Sequence, residues 1–120
     1  MFPKSARSTL APDLIEEIWA PFRAELARDY VGLWEIVART RDLAPELDDD
    51  SVRELVLEVV DRALRTGEAE AGGFQGGIDK TFGAWSGPAD AITERISREW
   101  AALGADPNIG EVVWLSSPSA

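Results

Sequence analysis

Among its 120 residues the chain has no cysteine, no histidine, one methionine and one tyrosine. Without cysteine there is no disulfide scaffold, thiolate metal site, thiol nucleophile or redox pair. Without histidine there is no imidazole ligand and no imidazole general base. Zinc enzymes, Ser-His-Asp hydrolases and cysteine proteases are thereby excluded. Positive charge is also scarce, with 12 Lys+Arg against 22 Asp+Glu and a formal charge of −10. No apolar run approaches the ~18 residues of a membrane span, because even Leu55-Val56-Leu57 meets Glu58. The opening Met1-Phe2-Pro3-Lys4-Ser5 has no apolar stretch of secretory length, so the chain reads as cytoplasmic, with no membrane partner.

What is present is enough for one compact domain: 45% of residues are hydrophobic and five are tryptophan. The reading is a disordered tail over 1–11, one globular domain over 12–116 and a second tail over 117–120. The negative charge is unevenly spread. Residues 1–28 are neutral, whereas residues 42–70 hold ten carboxylates against three arginines. Such a field repels phosphate backbones and attracts basic partners, although solubility alone also accounts for it.

Proline and glycine punctuation divides the chain into four helical stretches. The first spans about Pro12–Arg28, with Leu14, Ile15, Ile18, Trp19 and Phe22 on helical spacing and Pro21 expected to kink it or begin a second helix. The second runs from Gly32 to Asp42, with Leu33, Trp34, Val37 and Ala38 on one face and Glu35 four residues before Arg39. The third, about Asp49–Thr66, has the strongest stripe: Val52, Leu55, Val56, Val59, Val60, Ala63 and Leu64, with Gly67 as a left-handed stop. Either Asp48 caps it, or Ser51 does with Glu54 closing a capping box. Glu68–Ala71 and Lys80–Trp85 read as arms of an irregular hairpin around a glycine-rich turn. Pro88 opens the fourth helix at its first position, with Ile92, Ile96, Trp100 and Leu103 inward and Gly104 ending it. Val112–Leu115 closes the chain as a short strand. The fold class is therefore α+β, mainly helical, and the order helix, helix, hairpin also resembles a winged helix.

Four constellations invite chemistry. Asp48-Asp49-Asp50 fails as a calcium loop, because counting from Asp48 the required Gly and Glu positions hold Arg53 and Val59. Glu54, Glu58 and Asp61 share the polar side of the third helix, but Glu58–Arg62 and Asp61–Arg65 have the spacing of surface ion pairs. The segment Gly72-Gly73-Phe74-Gln75-Gly76-Gly77-Ile78-Asp79-Lys80-Thr81 lacks the Gly that a phosphate loop places before its Lys. A winged-helix reading would turn the acids of the third helix toward phosphate, so nucleic acid is disfavoured as a partner.

Gly32-Leu33-Trp34-Glu35-Ile36-Val37, Leu64-Arg65-Thr66-Gly67-Glu68-Ala69-Glu70-Ala71-Gly72, Phe82-Gly83-Ala84-Trp85, Glu99-Trp100-Ala101-Ala102-Leu103-Gly104 with Asp106-Pro107, and Val113-Trp114 are together similar to a group of small uncharacterised bacterial proteins. The resemblance covers about residues 29–116. It implies a packing plan of aromatic and small residues, carries no activity or site residue, and points toward immunity proteins of polymorphic toxin systems.

The expected function is non-enzymatic: an acidic protein-binding domain, of which an immunity protein masking a basic toxin is the most specific form. A winged-helix-like regulator or antitoxin is the alternative. No catalytic residue, cofactor or metal is assigned. The expected contacts to a basic protein are Asp48, Asp49, Asp50, Glu54, Glu58 and Asp61. Five tryptophans are many for one small core, which points to Trp85 or Trp19 at a subunit or partner contact; whether the chain forms a homodimer stays open.

Overall fold

A computed structural model describes residues 3–75 and 81–118, with side chains described for 14–74 and 81–118. The order is α1 (Pro3–Glu25), β1 (Val31–Gly32), α2 (Leu33–Leu43), α3 (Asp49–Arg65), β2 (Glu70–Gln75), β3 (Thr81–Ala84), α4 (Ala89–Leu103) and β4 (Trp114–Ser116). This is an α+β, mainly helical fold, as the residue pattern implies. The antiparallel sheet has the order β1-β4-β2-β3, so the last strand of the chain lies inside it. The hairpin is consequently tied to β4 along β2 and does not stand free as a wing.

α3 is the axis of the core. Val52, Leu55, Val56, Val59, Val60 and Ala63 are all buried, each large side chain stabilising the fold by roughly 1.5–3 kcal/mol through loss of apolar surface. The Asp48 carboxylate accepts the Ser51 N–H at 2.8 Å, which decides between the two capping readings. At the other end Gly67 has φ +78°. Its N–H reaches the Leu64 carbonyl at 3.2 Å and the Glu68 N–H reaches that of Ala63 at 2.9 Å, a Schellman closure. The Ala69 N–H also donates to Ala63. Glu68 and Ala69 therefore finish the helix and cannot begin the hairpin, so β2 starts at Glu70 rather than at Glu68.

β2 continues straight through Gly72 and Gly73, which were expected in the turn. Gly72 has to be glycine in this strand, because a Cβ there would lie 2.1 Å from the Gly83 carbonyl oxygen. The expected turn at Gly76-Gly77 lies outside the described residues. Two further boundaries differ from the sequence pattern. β1 was not foreseen, since two residues cannot display a period. The closing strand begins at Trp114, not Val112, because Val112 has φ +71° and the Val113 N–H turns back to the Glu111 carbonyl at 2.9 Å. A β-branched residue at the centre of such a three-residue turn stores strain of about 1–3 kcal/mol, held here by the neighbouring burial of Val113.

α1 begins at Pro3, so the segment assigned to a tail is helical over 3–11, and the helix passes through Pro12 and Pro21 without dividing. Pro21 has no N–H to give the Glu17 carbonyl four residues earlier. Arg39 of α2 supplies the missing donor: its Nη2 lies 2.8 Å from the Glu17 oxygen and its Nε 3.1 Å from that of Ile18. The expected Glu35–Arg39 pair is not formed, because Glu35 instead accepts the Gly32 N–H at 3.0 Å. α2 is rotated to suit: Leu33, Ile36, Val37 and Thr40 are buried, Ala38 is exposed and Trp34 is half-buried. Thr40 is fully enclosed and returns its hydroxyl to the Ile36 carbonyl at 2.8 Å. Pro88 is the N-cap of α4 rather than its first residue, so the helix begins at Ala89, one position later than expected.

Replacing Arg39 by Met should destabilise the fold by ~1–2 kcal/mol, the scale of a charged donor lost from a carbonyl. The loss should shrink in a Pro21→Ala background, where the helix again supplies an N–H; equal losses in both backgrounds, measured by denaturant titration, would contradict this assignment. Gly72→Ala should cost about 3 kcal/mol through overpacking, while Gly73→Ala, whose Cβ meets nothing within 4 Å, should be well tolerated.

Candidate functional site: carboxylates, cleft and aromatic face

The six acids expected to contact a partner do not form one patch. Asp48 is the helix cap. Asp49 pairs with Arg41 at 3.0 Å, and Asp50 lies 3.9 Å from Arg53. Asp61 is farther along α3, where it binds Arg65 at 2.6 Å and accepts the Thr93 hydroxyl of α4 at 3.1 Å. A rise of 1.5 Å per residue separates Asp49 from Asp61 by ~18 Å. Glu54 and Glu58 are exposed and have no ion pair or hydrogen bond among the described residues. The expected Glu58–Arg62 pair is absent. Glu16 of α1 has its carboxyl held below its ordinary value mainly by the Arg23 hydrogen bond and further by the charges of Arg23 and, least, Arg62. Asp50, Glu54 and Glu58 recur every fourth residue and so form one ridge. Among the described residues no three acidic side chains converge as a metal-binding group.

The N-terminal end of this ridge borders a cleft of about 330 Å³ lined by Arg41, Asp49, Arg53, Trp100, Gly104, Ala105 and Asp106. It forms where the ends of α2 and α4 meet the start of α3. Arg41 fastens them, with Nε 2.8 Å and Nη2 3.1 Å from the two Asp106 oxygens while Nη2 also reaches Asp49. The Asp106 hydrogen bond, and next that of Asp49, hold the Arg41 guanidinium above its ordinary value against the opposing effect of burial. Arg53 lies over Trp100, 5.8 Å from the ring centre, with its Nε–H buried and unpartnered. Arg41 and Asp106 are 65 positions apart, so no local pattern could have disclosed them.

A third feature lies on the sheet. Trp34 packs edge-on against Trp114 at 5.0 Å, Trp114 against Phe74 at 5.4 Å, and Tyr30 against Phe74 at 4.7 Å and Phe82 at 5.4 Å. None of the five is fully buried. Of the tryptophans expected at a contact, Trp19 is only 3% exposed and gives its indole N–H to Glu68 at 2.8 Å. It is a core residue, placed by the inward stripe of α1. Trp85 is half-buried and carries the Arg95 guanidinium 3.5 Å from its ring centre. The aromatic motifs were legible as packing elements, but the convergence of Tyr30, Trp34 and Trp114 with the hairpin depends on strand order.

No family model, curated protein or solved structure matches the chain. No described helix is long and apolar enough to cross a membrane. The site geometry thus has to speak for itself. Arg23, Arg41, Arg65 and Arg95 hold carboxylates of their own chain at 3.0 Å or less, and Arg39 is spent on backbone carbonyls. Glu17, Asp42, Glu46, Glu54 and Glu58 are exposed without such partners among the described residues. This surface can attract cations and cationic side chains over long range.

The Asp48 carboxyl is held below its ordinary value by the Ser51 N–H and hydroxyl. Its contribution is therefore complete above the unfolded carboxylate pKa and fades as pH falls through the lower folded value. Asp48→Asn should melt a few degrees below the wild type at neutral pH, and that gap should close as pH falls below the ordinary carboxylate range. A gap independent of pH would contradict the capping role.

Proposed function

We propose that the chain is a cytoplasmic, non-enzymatic domain that binds a basic protein, with masking of a basic toxin as its most specific form. The observation that carries this reading is the internal commitment of the arginines beside the exposed acidic ridge of α3, of which Glu54 and Glu58 have no ion pair among the described residues. Like charges spaced four apart on a helix face oppose its formation. Asp50, Glu54 and Glu58 nonetheless follow one another on the outer side of α3, and no basic side chain of the described residues answers Glu54 or Glu58. A cationic partner would relieve this repulsion and be steered toward it, raising its association rate. The same ridge on the helix that a winged-helix protein would present to DNA repels phosphate. The resemblance to small bacterial proteins agrees with a packing scaffold whose function lies at its surface.

Co-expression with the product of the adjacent open reading frame should yield a complex. Replacing Asp50, Glu54 and Glu58 together by Lys should slow association by about tenfold or more, and raising the salt should slow the wild type in the same direction. Stopped-flow or surface-based kinetics would measure both. No complex, or a rate indifferent to the triple reversal, would refute the proposal.

A further inference from the structure

We infer that the outer face of the sheet seats an extended basic segment of the partner, with one lysine or arginine of that segment held at Glu70. This rests on the basic-partner reading and assigns its contact surface. Helices on one side of an antiparallel sheet usually leave polar residues on the other. Here the registers Gly32↔Trp114↔Gly72↔Ala84 and Phe74↔Phe82 place aromatic and small residues on the outer side. Leu115 and Ala71, at the alternate positions, are 0% and 2% exposed and face the core. Tyr30, which remains 37% exposed, stands over Phe74 and Phe82. The result is a wall of rings beside a floor of Gly72 and Ala84.

Beyond the floor, Glu70 lies opposite Ser116. Four residues of strand place it about 13 Å from Phe74. A second cleft, of about 210 Å³, opens here and is lined in part by Leu64, Ala69, Glu70, Ala84, Trp85 and Ile92. Its lining offers more polar than apolar surface, and Glu70 is the charged residue among the described residues that line it. That carboxylate is half-buried and makes no hydrogen bond or ion pair among the described residues. A long basic side chain matches that carboxylate with its charged head while its methylenes lie against Leu64 and Trp85.

The sign of the charge selects the occupant. A second copy would bring a further −10, and a nucleic acid would bring phosphates to Glu70; a basic segment meets attraction there. A polyproline-type segment advances ~3.1 Å per residue, so the residue on the aromatic wall and the residue at Glu70 should be about four positions apart.

The probe is a synthetic proline-rich peptide with leucine followed about four positions later by arginine, titrated against the full chain by tryptophan emission. Saturable binding is expected, weakened about tenfold or more by Glu70→Gln and by Tyr30→Ser, and unchanged by Glu94→Gln on the exposed side of α4. Thermal melts establish that each variant is folded. Equal binding of a peptide with glutamate in place of arginine would overturn the assignment. So would indifference to Glu70→Gln, displacement by a single-stranded oligonucleotide, or self-association that Tyr30→Ser abolishes. The same variants are then tested with the product of the adjacent open reading frame. A partner that binds them all equally, while the peptide does not bind, removes the sheet surface and leaves the basic-partner reading intact. Failure of both peptide and partner removes both.

Discussion

The position of β4 is the constraint on which the rest of the molecule depends. Three residues, Trp114–Ser116, pair with β1 on one side and β2 on the other. A strand at the sheet interior must satisfy its backbone groups on both edges. The chain thereby joins its N-terminal half to the hairpin only when its last element arrives. Trp114 lies between Gly32 and Gly72 in register, and the space beside it is made by absent side chains. A Cβ on Gly32 would lie 1.6 Å from the Trp34 ring. The row of small residues thus makes room for the edge-on packing of the two tryptophans and the aromatic character of the outer face.

The helical half is joined by polar contacts that engage much of its positive charge. Pro21 leaves the Glu17 carbonyl without a helical donor, and Arg39 reaches across from α2 to fill it. Arg41 holds Asp106 and Asp49, so the ends of α2, α3 and α4 meet at one point. Arg23 bridges Glu16 and Glu68, fastening α1 to the segment after α3. Because these arginines work within the fold, the net charge of −10 is felt outside it. Structure and electrostatics are coupled here: cations used for assembly leave anions exposed at the surface.

Much of the helical architecture was legible. The α3 stripe, its Gly67 stop and the inward Ile92, Ile96 and Trp100 of α4 arise from local periodicity, which tertiary packing preserved. The α2 face was misjudged because Trp34 was drawn partly onto the sheet and Thr40 could be buried by returning its hydroxyl to Ile36. The apparent pairs Glu35–Arg39 and Glu58–Arg62 failed for one physical reason. A flexible exposed pair is worth little, and a partner elsewhere can outbid it: the Gly32 N–H for Glu35 and two α1 carbonyls for Arg39.

By itself the sequence determined the helix-rich α+β class, the absence of thiol and imidazole chemistry, the acidity of residues 42–70 and the Gly67 stop of α3. These follow from composition and from interactions within a few residues. Only the tertiary structure decided which acids remain free, that Trp19 belongs to the core, that Arg41 meets Asp106, and that Tyr30, Trp34, Phe74, Phe82 and Trp114 share one face. Each of those outcomes depends on groups distant along the chain, and above all on the insertion of β4 between β1 and β2, which backbone hydrogen bonding permits but no local pattern encodes.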